Sequence, residues 1–146
     1  MTPLGESNPA VLRVLKDVLE RQPEVVDVRY EPDVIQKRRL GAEVATARVE
    51  PPTGPEPPRI EVRWSTTHPR DQFHVDYADP NTGFHCGWHR DGDHPELGTT
   101  HFQYRLPGAE TTTHEPASFD ADTPTRILWT CLERLFEDVL PRFTDE

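Results

Sequence analysis

The chain has 146 residues, enough for one domain with a buried core and too few for two of ordinary size. It carries 26 acidic against 16 basic residues, a net charge of −10, which sets it against phosphate backbones at moderate salt. It has no apolar run of about 18 residues and so no candidate membrane helix, no basic-then-apolar leader in its first six residues, and only two cysteines, Cys86 and Cys131, which make no disulfide framework. A single cytoplasmic domain over residues 1–146 is expected.

Asn8-Pro9 reads as a helix start, with Asn8 as cap and Pro9 at the first helical position. Val11, Leu12, Leu15, Val18 and Leu19 then recur at helical spacing, and Pro23 ends the helix. Val26, Val28 and Tyr30 alternate with polar residues as a strand does, until Pro32. The segment 33–50 is ambiguous between strand and helix. Five prolines within 51–58 predict a stiff, exposed loop. Four alternating runs follow: Ile60-Val62-Trp64, Phe73-Val75-Tyr77, Phe84-Cys86-Trp88 and Phe102-Tyr104-Leu106. Turn signals separate them, at His68-Pro69, around Pro80-Asn81-Gly83 and from Gly92 to Gly98, so the strands should be antiparallel neighbours. Thr123-Pro124 repeats the helix-start signal, and a wide apolar stripe from Ile127 to Leu140 runs up to Pro141. The expected fold is α+β: an antiparallel sheet of about five or six strands, packed by a helix at each end of the chain.

Only Lys16 and Lys37 are lysines; the other 14 basic residues are arginines. An acidic, lysine-poor surface fits either ordinary solvation or adaptation to multimolar salt, where the Debye length of about 3 Å screens self-repulsion. Under such salt the net charge no longer argues against an RNA substrate.

Strict alternation implies one dry and one wet face. The dry side takes Phe73, Val75, Tyr77, Cys86 and Trp88; the wet side takes His74, His85, His89, His101, Arg63 and Arg105. Six of the seven histidines fall between positions 68 and 101. An imidazole with a pKa of about 6.5 exists in both protonation states near neutrality, so paired histidines suit general acid–base work, with arginine meeting phosphate charge. A solvated histidine-bearing face is the plainer alternative. A Cys-x2-His zinc site from Cys86 and His89 is a third, but neighbours of opposite parity on a strand cannot aim at one ion. Cys86 as a nucleophile is disfavoured by its apolar neighbours, which raise a thiol pKa. The loop Arg90-Asp91-Gly92-Asp93-His94-Pro95-Glu96-Leu97-Gly98-Thr99 either turns the chain with aspartate caps or sets Arg90, Asp91, His94 and Glu96 beside the histidine face.

From Phe73 to Leu140 the chain resembles the TumE-like toxins of toxin–antitoxin modules. The resemblance lies in a histidine-bearing strand, an aromatic strand ending in Arg90-Asp91, the run His94-Pro95-Glu96-Leu97-x-Thr99 and a terminal amphipathic helix. It implies a growth-inhibiting toxin directed at RNA or translation, partnered by a helix-turn-helix antitoxin. The functional expectation is metal-independent RNA cleavage. His89, His94 and His101, with Asp91 and Glu96, are the catalytic candidates. Arg90, Arg105, Arg63, His74 and His85 are the substrate-binding ones. Neither metal nor cofactor is expected, and a homo-oligomer is left open. The competing reading is a non-enzymatic protein–protein interaction module with an acidic, salt-adapted surface.

Overall fold

The computed structural model describes residues 4, 6–48, 53–66 and 70–144. Seven strands lie side by side in chain order: β1 (Val25–Pro32), β2 (Lys37–Val44), β3 (Arg59–Ser65), β4 (Gln72–Ala78), β5 (His85–Arg90), β6 (His101–Arg105) and β7 (Thr113–Pro116). Each pairs antiparallel with its sequence neighbour. The α+β expectation stands, with one or two more strands than anticipated. The ambiguous segment supplies β2, where Leu40, Ala42 and Val44 are buried. The extra strand is β7.

Helix α1 (Pro9–Glu20) begins where the sequence indicates. Asn8 Oδ1 accepts from the backbone N–H of Ala10 and Val11, satisfying two donors a helix start leaves free. Helix α2 (Pro124–Arg134) runs into a wider π-type turn at Leu135–Val139 and continues as α3 (Leu140–Thr144). The helix was expected to stop before Pro141. Instead the Leu140 N–H reaches back five residues to the Leu135 carbonyl, and the widened turn accommodates the proline, which cannot donate a hydrogen bond.

Leu12, Leu15 and Leu19 of α1 and Ile127, Leu128, Cys131 and Leu132 of α2 are buried in one core with Trp64, Phe73, Val75, Tyr77 and Trp88 of the sheet. The helices therefore cover the dry face. Of the proline-rich loop, Pro51 and Pro52 lie outside the described residues, as does the turn expected at His68-Pro69. The remainder is exposed at Pro55 and Glu56 but buried at Pro58. Asn81 bridges it to the β4–β5 turn, accepting from the Glu56 N–H and donating to the Glu56 carbonyl. Among the described residues no helix is long and apolar enough to cross a membrane.

Candidate functional site

Strand register arranges the wet face into rows. One row runs Arg63, His74, His89, His101 across β3 to β6. The next runs Glu61, Asp76, Gly87, Gln103, His114 from β3 to β7. A third holds Arg59, Ala78, His85 and Arg105. The first two rows carry the candidate site.

His74 and His89 stack with ring centroids 4.0 Å apart, and each is held by a carboxylate. His74 Nε2–H donates to Asp91 Oδ2 at 2.7 Å, and His89 Nε2–H donates to Asp76 Oδ1 at 2.6 Å. Asp91 also lies 3.7 Å from His89 Nδ1, and its other oxygen accepts the Asp93 N–H, which fixes the loop start. Asp76 reaches His89 diagonally because Gly87, directly opposite it, has no side chain; a Cβ there would run into the Asp76 carboxylate. His101 edges against His89, centroids 5.4 Å apart. His94 meets His101 at 4.8 Å and His114 at 4.1 Å. The result is a chain of five touching imidazoles drawn from β4, β5, the β5–β6 loop, β6 and β7. Together with Asp91, Asp93, Gln103 and Thr112, the rings of His89, His94, His101 and His114 line a cleft of about 400 Å³. Neither lysine nor arginine is among its lining residues.

Burial lowers the pKa of His74, and the neighbouring His89 adds to this against the opposing pull of Asp91 and Asp76. Burial likewise lowers His101, against the hydrogen bond from its Nε2–H to Gln103 Oε1 at 2.9 Å. His114 is lowered by burial and by His94 and His101. Neutral rings are therefore favoured at these three positions. Among the described residues, every buried side-chain polar atom has a hydrogen-bond partner, so burying this many polar groups leaves none stranded.

Several sequence-derived candidates come together: His74, His89, Asp91, His94 and His101, with Glu96 beside His94 at 3.3 Å. Others do not. Arg90 was placed beside the histidine face, but it pairs opposite Phe73 and follows Trp88 by two residues, so it points to the other side. There its guanidinium sits 5.1 Å from the Phe73 ring centre and donates to Thr100 and Asp122. Arg63 stands next to His74 in its row, but its Nε–H donates to Glu61. Arg105 shares the wet face with His85 at the far end of the strands, where it donates to the Ala109 carbonyl. His85 lies four residues from His89, roughly 13 Å along the strand, and lines a separate cleft of about 370 Å³ with Glu43, Arg59 and Asp79. Cys86 faces the core, where burial pushes its thiol well above the ordinary range; with His89 on the opposite face, the Cys-x2-His zinc arrangement is ruled out. His114 and the role of Asp76 were missed. Asp76 was visible as the polar partner of His74 at spacing two. For His114 the one signal was the β-branched run Thr111-Thr112-Thr113 before it.

Compared with known proteins, the chain matches no family model, no curated protein and no solved structure.

Proposed function

We propose that this protein cleaves RNA in the histidine cleft, as the toxin of a toxin–antitoxin pair. The observation that carries the reading is the Asp76–His89–Asp91 arrangement opening onto a cleft that three further imidazoles enclose. The RNA target and the helix-turn-helix partner come from the resemblance of residues 73–140 to the TumE-like toxins; the chemistry comes from the cleft. In this reading His89 accepts the proton of a ribose 2′-hydroxyl as its oxygen attacks the adjacent phosphorus. Asp76, on the His89 Nε2 side, orients the ring and balances the charge it takes on. The bond from phosphorus to the 5′-oxygen breaks, and that oxygen takes a proton from His94, which faces Glu96 Oε2 at 3.3 Å on the far wall of the cleft. The products are a 2′,3′-cyclic phosphate and a free 5′-hydroxyl. With no arginine or lysine lining the cleft, that same wall also has to meet the negative charge that builds up on the phosphate.

The test is a cleavage assay on mixed-sequence RNA in molar KCl, where repulsion by the acidic surface is screened. The expected result is fragments with cyclic phosphate ends, slowed by roughly 100-fold or more in His89→Gln, with the variant still folded by circular dichroism. Intact RNA, or a His89→Gln variant that cuts as fast as the parent, overturns the reading in favour of a binding-only role.

A further inference from the structure

We infer that His94, His101 and His114 form a binding site for one divalent transition-metal ion, with zinc(II) as the reference case. One ring nitrogen from each lies within 4.8 Å of the others. Three nitrogens bound to a tetrahedral zinc at about 2.0–2.1 Å stand about 3.4 Å apart. Closing the gap from 4.8 Å takes movements on the order of 1 Å in the ring nitrogens. The three rings come from separate pieces of chain: the loop ahead of the short turn Pro95–Leu97, strand β6 and strand β7. Their convergence follows from strand register and not from any local sequence repeat.

Two of the rings have the outer partners that metal-bound histidines use to fix their tautomer. His94 Nδ1–H points at Glu96 Oε2, 3.3 Å away, and His101 Nε2–H donates to Gln103 Oε1. His94 Nε2 and His101 Nδ1 are left with free lone pairs. Asp91 and Asp93 in the lining, with no lysine or arginine, make the cleft attractive to a cation. Imidazole ligands suit zinc, copper and nickel, whereas magnesium and calcium prefer oxygen. The cleft beyond the three rings leaves room for water at a fourth position, as in zinc sites that are not purely structural. The neighbouring group His74, Asp76 and His89 is as compact, but its rings are already engaged by Asp91 and Asp76 at hydrogen-bond distance.

The site stands on its own geometry. Only its role in cleavage rests on the reading above: rings that hold an ion cannot also give up the proton, so water on the ion would give it instead, and the ion would supply the positive charge the cleft lacks. The test is calorimetric titration of chelator-stripped protein with zinc(II), repeated with cobalt(II), whose visible absorption reports tetrahedral nitrogen ligation. One equivalent should bind. Losing a second-sphere partner typically costs 10–100-fold in affinity, so Gln103→Ala should weaken binding by about 10-fold, and His101→Ala or His114→Ala by about 100-fold or more. His85→Ala should bind as the parent does. No binding by the parent, undiminished binding by a folded His114→Ala variant, or loss in His74→Ala with retention in His114→Ala overturns the assignment. A protein that binds zinc and leaves RNA intact overturns the catalytic reading alone; one that cuts RNA and binds no metal overturns the metal site alone.

Discussion

Gly87 shows how one missing side chain organises the cleft. It opposes Asp76, whose carboxylate crosses the space above it to reach His89. Gly87→Ala should therefore cost about 1–3 kcal/mol by overpacking. Because the added methyl meets the carboxylate, the cost should shrink when Asp76→Ala is already present. Urea unfolding of the four proteins in this cycle measures the coupling, and strict additivity would contradict it. The histidines give the site a pH signature. His74, His101 and His114 are all held below 6.5 by burial first. Just below that value the folded chain binds fewer protons than the unfolded chain. The stability owed to these neutral rings is thus present above pH 6.5 and lost as pH falls through their lowered values. Thermal unfolding between about pH 8 and pH 5 should show Tm dropping on the acid side of 6.5, with a shallower drop in His101→Gln. A flat profile would contradict it.

The wet face divides by element. Strands β1 to β3 carry an ion-pair ladder, while β4 to β7 carry the imidazoles. Glu31 is the hub of the ladder, paired with Arg29, Arg39 and Arg59. Burial alone would raise its pKa, but the Arg59 and Arg39 guanidiniums outweigh this and hold it below 4.5. Glu31→Gln should cost about 1–3 kcal/mol, since three partners lose their acceptor charge. Its effect should fade as pH falls from 4.5 through the lowered value that Glu31 has in the folded chain, where the carboxyl itself takes up a proton. An unchanged urea midpoint at neutral pH would contradict this.

The strands that were legible in the sequence are those with bulky apolar residues at every second place, such as Phe73-Val75-Tyr77, because burial on one face enforces the period. Strand β2 was ambiguous because its buried side is Leu40, Ala42 and Val44 behind a Lys37-Arg38-Arg39 run, a pattern a helix start also shows. Strand β7 was illegible: its four residues end in a proline, and it buries no large side chain. His114 was lost with it. Arg90 was misplaced for a different reason, since its loop-like neighbours hid a parity that continues from Trp88.

At the scale of the whole molecule, the net charge of −10 and the scarcity of lysine leave an excess of carboxylates that repel one another in dilute buffer. Raising KCl toward molar concentration should increase the urea midpoint as the Debye length falls to about 3 Å. A midpoint that declines with KCl would show that screening of attractive pairs dominates. The architecture also separates two kinds of work. The helices close the dry face with apolar side chains, so the opposite face is free to carry the row of rings from His74 to His114. Whether those rings form one interacting group is tested most directly by the NMR ring-proton signals of every histidine in the intact chain and in His101→Gln. His101 lies 4.8 Å from His94, 5.4 Å from His89 and 5.5 Å from His114 by ring centroid. Its replacement removes an aromatic ring from beside all three and should move their ring-proton signals, while those of His85 stay in place. Ring-proton signals of His89, His94 and His114 that coincide with those of the intact chain would mean that the rings do not share a cleft.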